Sequence, residues 1–346
     1  MVVKKFSING KFYAQNITGV QRFAREIVLE LDKIVENVDV EIVVPADAKQ
    51  VPDLKNISIV KSRWAKSIFW EQVWLPLYLL KNRRIGLHLC HVAPIFKPDI
   101  VCIHDANILV NPQWFTRKVC AWYGLIDCLC AKFAKKIITV SEFSKKELQK
   151  SLGIPDLKIL SIVEGWQHLN KIIADDSALT RYELNKGQFY FSLGTRAPHK
   201  NVRWIFEYAR KHPEQLFVLS GSSYGRIFGK MDEIEPENVR FLGYLSDGEI
   251  KLLMQNCKAF VFPSFYEGFG LPPLEALSVG ASVVVSDIPV MHEIFSNTVH
   301  YIDSHNASVG LEKLLSEPVE SAEVVLKKYS WENAAVSLRN IIKEIA

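Results

Sequence analysis

Phe262-Pro263-Ser264-Phe265-Tyr266-Glu267-Gly268-Phe269-Gly270-Leu271-Pro272-Pro273-Leu274-Glu275-Ala276-Leu277 is the stretch on which the reading of this 346-residue chain turns. The apolar run 259–262 reads as a strand. Pro272 and Pro273 open a helix, at positions where a missing amide donor costs nothing. Between the two, Gly268 and Gly270 let a ligand approach the backbone. The helix start adds unpaired N–H groups at a positive dipole end, which together make a phosphate site. Glu267 stands just before the turn and Glu275 about one helical turn inside it. A carboxylate accepts two hydrogen bonds side by side, which suits vicinal sugar hydroxyls. A phosphate site flanked by two such acids describes a pocket for a sugar nucleotide. A lone Gly-x-Gly is usually an ordinary strand-to-helix turn; the proline pair and the two acids set this one apart.

The same kind of junction recurs upstream. Gly194-Thr195-Arg196-Ala197-Pro198-His199-Lys200-Asn201 lies between a strand-like run and a helical one. Arg196 and Lys200 place two cations at a loop mouth, suited to a diphosphate leaving group, while His199 is read as a loop residue without a role. Ser220-Gly221-Ser222-Ser223 is a comparable loop. Phe241-Leu242-Gly243-Tyr244-Leu245 runs into Ser246-Asp247-Gly248-Glu249, with Ser246 or Asp247 as helix cap and Glu249 as capping acid.

Around these junctions β-branched runs alternate with helical ones. Strands are expected at 38–45, 58–61, 86–91, 100–104 and 136–141, with helices at 21–36, 69–81, 115–132 and 144–152. The rhythm restarts with strands at 189–193, 216–220, 239–242, 259–263 and 281–286 and helices at 201–211, 247–256 and 273–279. This is an α/β pattern of parallel sheets covered by helices. Two successive series predict two doubly wound domains, 1–165 and 166–329, with a closed eight-stranded barrel as the alternative. The boundary is expected within 163–187, where strand signals lapse. Ser330 and Asn333 begin a capped helix over 330–346, with Ile341, Ile342 and Ile345 on its apolar side.

Glu267 and Glu275, with seven residues between them around Gly-Phe-Gly-Leu-Pro-Pro, resemble the hallmark of the retaining glycosyltransferases of family 4, and the likeness runs over nearly the whole chain. The resemblance implies the GT-B fold, two Rossmann-like doubly wound domains facing across a cleft that closes over the donor. It leaves open a return of the C-terminal helix to the N-terminal domain. It implies that Glu267 holds hydroxyls of the transferred sugar and Glu275 the ribose hydroxyls. The amides of Gly268, Phe269 and Gly270 would face the sugar and its phosphate, with Leu271 at the same donor site. Gly194, Arg196 and Lys200 would meet the diphosphate, and the backbone at Gly243, Tyr244 and Leu245 would read the base. Catalysis would rest on Glu267, His104, Arg196 and Lys200. Retaining transfer is implied too: the nucleotide diphosphate departs, the acceptor hydroxyl attacks from the same face, and the departing phosphate serves as base.

In the first half, Thr18-Gly19-Val20-Gln21-Arg22 opens an amphipathic helix, and Gly19 at its start permits backbone approach to phosphate, as in the family. His104-Asp105 ends a strand where open α/β sheets bind ligands. His104 is expected to donate to a sugar hydroxyl, and Asp105 to orient it or meet an acceptor hydroxyl. Ser141-Glu142-Phe143-Ser144 needs no more than helix capping. The stretch from Lys61 to Arg84 mixes six cations with Trp64, Phe69, Trp70 and Trp74. It reads equally as a helix lying on an anionic bilayer or as packed core.

Composition bounds the rest. A hydrophobic share of 49% and a charged share of 23% exclude a disordered chain. A net charge of +4 is too mild to argue for nucleic acid, though residues 1–165 carry 24 Lys/Arg against 16 Asp/Glu. The six cysteines form no Cys-x-x-Cys pair and are expected as reduced thiols, with no metal site. Residues 1–10 lack the apolar core of a signal peptide and no run is long enough to span a membrane. The expectation is a cytoplasmic protein, in peripheral contact with the inner face of the cell membrane if the 61–84 stretch lies on lipid. No Asp-x-Asp occurs to hold a divalent cation, so activity without metal or other cofactor is expected. The transferase would move a hexose from GDP-mannose or a UDP-hexose to a glycan or lipid-linked glycan hydroxyl in bacterial polysaccharide (lipopolysaccharide) synthesis. A nucleotide-sugar epimerase of the same architecture is the alternative.

Overall fold

The computed structural model describes residues 5–36, 38–63, 67–221 and 234–345. Trp64, Lys66, Ser222 and Ser223 therefore lie outside the described residues. Two all-parallel sheets organise the chain, each the core of its own unit.

The N-terminal unit comprises Met1–Val110, Cys120–Glu164 and Ser330–Ala346. Its strands are β1 (Lys5–Asn9), β2 (Asp39–Val44), β3 (Ser58–Lys61), β4 (Arg84–His88), β5 (Ile100–Cys102), β6 (Lys136–Thr139) and β7 (Ile159–Ser161), in the spatial order 3-2-1-4-5-6-7. The C-terminal unit comprises Asn111–Val119 and Gly165–Tyr329. It holds β8 (Phe189–Leu193), β9 (Leu216–Ser220), β10 (Val239–Phe241), β11 (Ala259–Phe262), β12 (Val283–Ser286) and β13 (His300–Ile302), ordered 10-9-8-11-12-13. Counted from its own first strand, each sheet begins 3-2-1-4, the doubly wound order. Two open sheets replace the closed barrel the sequence left open. In each, the winding reverses between the first and fourth strands, and the loops there diverge into a crevice. Ligand sites are expected at β1/β4 and β8/β11.

Apolar periodicity explains the helices. Gly19–Ile34 turns Phe23, Ala24, Ile27, Val28 and Leu31 inward, and Trp331–Ile345 does the same with Trp331, Ala334, Ala335, Leu338, Ile341 and Ile342. These two helices pack together, with Phe23 edge-on to Trp331 at 6.1 Å, so the C-terminal helix belongs to the N-terminal unit. Caps fall where the sequence placed them. Ser141 Oγ accepts from Ser144 N at 3.0 Å, Ser246 and Glu249 form a capping box, and Ser330 Oγ accepts from Asn333 N.

Two features differ from the expectation. Residues 111–119, assigned by position to the first domain, pack in the C-terminal unit because Trp114 and Phe115 lay their rings against His199, and Trp114 also against Phe265. Strands β1, β7 and β13 were not anticipated. In β1 the reason is Ser7, fully buried in a polar network with Glu41 of β2 and Arg84 of β4, which interrupts the apolar run. All six cysteines are thiols outside any disulfide; Cys102 and Cys130 are buried and Cys128 is exposed.

Burial holds the imidazoles of His88 and His104 neutral, each lowered to about 4. An unfolded histidine takes up its proton near pH 6.5, so the folded state alone resists protonation between about 6.5 and 4. Stability from this source is complete above that window and is lost as pH falls through it. The expected loss is about 2 kcal/mol per histidine by pH 5. Urea midpoints at pH 7 and pH 5 measure it, and equal midpoints would contradict the burial of these two rings.

Candidate active site

At the C-terminal ends of β8 and β11 two loops are drawn together. Phe265 N donates to the His199 carbonyl at 2.8 Å, joining them directly. Asn201 braces the same junction: it sits in the left-handed region (φ 53°), is buried, and its Nδ2 donates to the carbonyls of Pro263 (2.9 Å) and Ser304 (2.8 Å). Across this junction Lys200 Nζ reaches Glu267 Oε1 at 2.7 Å, with the ammonium also 5.0 Å from the centre of the Phe262 ring. Both side chains are largely withdrawn from solvent, at 20% and 12% exposure, so the pair is a fixed part of the crevice. The two residues lie 67 apart in the chain, and strand order alone brings them together.

Arg196 enters from the β8 loop with its guanidinium 3.5 Å from the Phe241 ring centre, and Nη1 donates to Glu235 at 2.6 Å. The loop mouth is thus lined by two cations, each holding a carboxylate. Backbone contacts fix its rim: Gly194 N donates to Ser220 O and Gly221 N to Gly243 O, both at 2.9 Å. Gly243 has φ 73° and its carbonyl also accepts from Ser220 Oγ; Tyr244 is 70% exposed, whereas Leu245 is buried and offers only its backbone. On the β11 side, Gly270 (φ 107°) starts the helix Leu271–Ser278, while Phe269 is buried edge-on to Tyr329 and Leu271 is buried as well.

Glu275, one turn into that helix, is 9% exposed, and its Oε1 lies 2.8 Å from His168 Nε2. An ionised carboxylate only accepts, so the imidazole donates. The turn carrying His168 is pinned to the same unit, since Trp166 Nε1 donates to Leu326 O and Gln167 Nε2 to Tyr329 O.

The N-terminal unit has its own crevice at the β1/β4 switch point, a cavity of about 470 Å³. Asn9 and Lys11 both donate to the Glu71 carboxylate, at 2.9 and 2.6 Å. Beside them His91 Nε2 lies 3.2 Å from Asp127, and Trp122 and Tyr123 complete the wall. Desolvation opposes the charged form of His91, but the buried Asp127 carboxylate outweighs it and raises the imidazole above its usual range. Thr18, Val20 and Gln21 border this cavity. Gly19 between them is exposed, and a Cβ there would meet open space.

Residues 180–331 match the family described as Glycosyl transferases group 1. This chain carries a group 1 glycosyltransferase domain. The glycosyltransferase is 25% identical over 308 residues to the O-antigen chain mannosyltransferase RfbU of Salmonella typhimurium, a match spanning 85% of this chain and 84% of the relative. It is 31% identical over 178 residues to the N,N'-diacetylbacillosaminyl-diphospho-undecaprenol alpha-1,3-N-acetylgalactosaminyltransferase of Campylobacter jejuni, covering 49% and 46% of the two chains. Solved structures that share its fold include sucrose-phosphate synthase from Thermosynechococcus elongatus (TM-score 0.73, 13% identity, 99% of each chain) and WaaG, a glycosyltransferase involved in lipopolysaccharide biosynthesis (TM-score 0.70, 14% identity, 98% and 99%). The two-sheet fold is the GT-B fold read from the sequence. None of these relatives supports the epimerase alternative.

Within the glycosyltransferase, the sequence-selected residues Gly194, Arg196, Lys200, Gly243, Glu267, Gly270 and Glu275 all fall in the C-terminal unit, about the ends of β8, β10 and β11. His104 requires a correction. It is 5% exposed, edge-on to Phe23, and its Nε2 lies 2.9 Å from the Leu89 carbonyl, which only a protonated Nε2 can satisfy. A neutral ring with that tautomer leaves Nδ1 as an acceptor, so His104 can receive a bond from a sugar hydroxyl but not donate one. Asp105 is partly committed as well, its Oδ1 accepting from Asn107 N at 2.7 Å. His199, read as idle, packs with Trp114 and Phe115, and desolvation lowers it to about 3.

Sequence reasoning missed His168, Glu71, His91 and Asp127. Each becomes legible only through a partner more than 30 residues away. His168→Ala removes the donor to a buried carboxylate, and about tenfold weaker nucleotide-diphosphate binding is expected, measured by titration calorimetry. Unchanged affinity would remove Glu275 from the binding site.

Proposed function

We propose that this protein is a retaining mannosyltransferase that moves mannose from GDP-mannose to a hydroxyl of a lipid-linked glycan in bacterial surface-polysaccharide synthesis. One observation carries the donor site: the Lys200–Glu267 pair, 2.7 Å apart, between the loops leaving β8 and β11. A sugar needs a carboxylate for its hydroxyls and a diphosphate needs cations beside it; here both are held at one switch point. The choice of mannose rests on the printed names of relatives, O-antigen mannosyltransferases among them.

In this reading the diphosphate takes the place of Glu235 on Arg196 and lies against Lys200, while Glu267 accepts from the sugar hydroxyls. Glu275, oriented by His168, keeps its second oxygen for the ribose. As the glycosidic bond to phosphate breaks, negative charge grows on the leaving oxygens, and the two cations stabilise it more than they stabilise the ground state. The leaving phosphate takes the proton of the incoming hydroxyl on the same face. The acceptor sugar belongs to the cavity of the N-terminal unit, where Trp122 and Tyr123 offer ring faces and Asn9, Lys11 and His91 offer polar contacts. Contact with the membrane carrying that acceptor is part of the same reading, as is independence from metal.

The test is a donor panel with an undecaprenyl-diphosphate-linked oligosaccharide, run in excess chelator with product analysis. The reading expects turnover with GDP-mannose and retention of the anomeric configuration. Transfer from UDP-hexoses alone would overturn the choice of sugar. Loss of all turnover in chelator would overturn the role given to Arg196 and Lys200.

A further inference from the structure

The stretch from Lys61 to Arg84 read equally as interfacial helix or core, and the structure divides it between the two. Ser67–Phe69, the π-helical turn Trp70–Trp74 and Leu75–Lys81 form one continuous helical run. Its inner side is core: Trp70, Leu75 and Leu79 pack with Val43, and the rings of Trp70, Trp74 and Tyr78 stack in series at 5.8 and 5.2 Å. Its outer side carries Ile68, Phe69, Val73, Leu77 and Leu80, each between 40% and 62% exposed. Phe69, Val73, Leu77 and Leu80 follow one another at four, four and three residues and make one stripe, with Ile68 beside its first residue. Gln72 clamps the next loop against this helix through Ala93 O and Ile95 N, and that loop presents Phe96 at 87% exposure. Soluble surfaces rarely spend so many large apolar side chains in one place.

Charge indicates what covers the stripe. Lys61 and Arg63 are exposed before it, and Lys81 and Arg83 after it. Arg84 is not available, being buried on Asp39 and Glu41. The one acid in the stretch, Glu71, faces inward and is held by Asn9 and Lys11. An apolar ridge with cations at both ends and no outward anion is complementary to an anionic bilayer. A second copy of the chain would instead bring like charges together. The ridge also adjoins the cavity of the N-terminal unit, because Ile68 belongs to both.

We propose that this ridge docks the protein on an anionic lipid surface, with the apolar side chains entering the headgroup boundary and the flanking cations meeting the lipid phosphates. The cavity mouth then lies at membrane level, where the head of a lipid-borne acceptor would be. The inference deepens the proposed function and rests on it only for the nature of that acceptor.

Flotation of the full chain with phosphatidylglycerol-containing or pure phosphatidylcholine vesicles tests it. Binding is expected to the anionic vesicles and to weaken in high salt. Phe69→Ser with Leu77→Ser should lower the bound-to-free ratio about tenfold or more, and Lys61→Glu with Lys81→Glu should abolish the preference for anionic lipid. All four side chains are exposed, so unfolding midpoints and turnover on a water-soluble acceptor should match the unaltered protein. Unaltered flotation of both variants, binding to neither vesicle, or a dimer in solution that the serine variant dissolves would each overturn the docking. Vesicle binding with no transfer to any lipid-linked acceptor would leave the docking standing and overturn the proposed acceptor.

Discussion

Glu267→Gln is expected to lower kcat by about 10²- to 10³-fold with little change in unfolding midpoint. The amide keeps the shape of the side chain but loses its charge and one of its acceptor oxygens. Lys200 then stands without the carboxylate that its Nζ meets at 2.7 Å, in a crevice where it is only 20% exposed. The ammonium is free to move toward other oxygens, and the sugar hydroxyls lose a bidentate acceptor. Both losses are felt most when the sugar carbon is detaching from phosphate, so kcat should fall further than donor affinity. Single-turnover kinetics separates the two. Near-normal turnover would mean that Glu267 serves only as the structural partner of Lys200.

Gly221→Ala should produce the largest stability effect. Gly221 has φ 150°, and a Cβ there would lie 1.7 Å from the Gly194 carbonyl oxygen, a backbone atom with no rotamer to yield. The two loop starts must separate, which breaks the Gly194–Ser220 and Gly221–Gly243 hydrogen bonds that tie β8, β9 and β10 at this end. A loss of more than about 3 kcal/mol is expected, or roughly 10 °C in thermal midpoint for a unit of this size. Because Gly194 begins the loop that carries Arg196 and Lys200, donor affinity should fall as well. A midpoint within about 2 °C of the unaltered protein would show that the loops are not in contact there.

Much of this was legible because the chemistry sits at the ends of strands. The run into Glu267 and the run into Lys200 each announced a strand, a glycine and a helix, and parallel sheets place such junctions on one edge. The pairing of Lys200 with Glu267 was not legible. It depends on β8 lying beside β11, which follows from the reversal of winding and not from any local pattern. Buried polar residues hid more. Ser7 made β1 look too polar for a central strand until Glu41 and Arg84 were seen to satisfy it, and with β1 unseen the cavity beside Asn9 had no frame. His168 sits in the stretch read as a boundary, and its meaning comes wholly from Glu275, 107 residues on. His104 was legible as a position but not as a tautomer, which the Leu89 carbonyl decides.

The claim at the centre is that Lys200 and Glu267 hold the diphosphate and sugar of one donor. Titrating GDP and guanosine into the unaltered protein and into Lys200→Met tests it most directly. A diphosphate-specific loss is predicted: GDP should bind the variant at least about tenfold more weakly while the nucleoside binds both alike. Equal affinity of GDP for the two proteins would contradict the account.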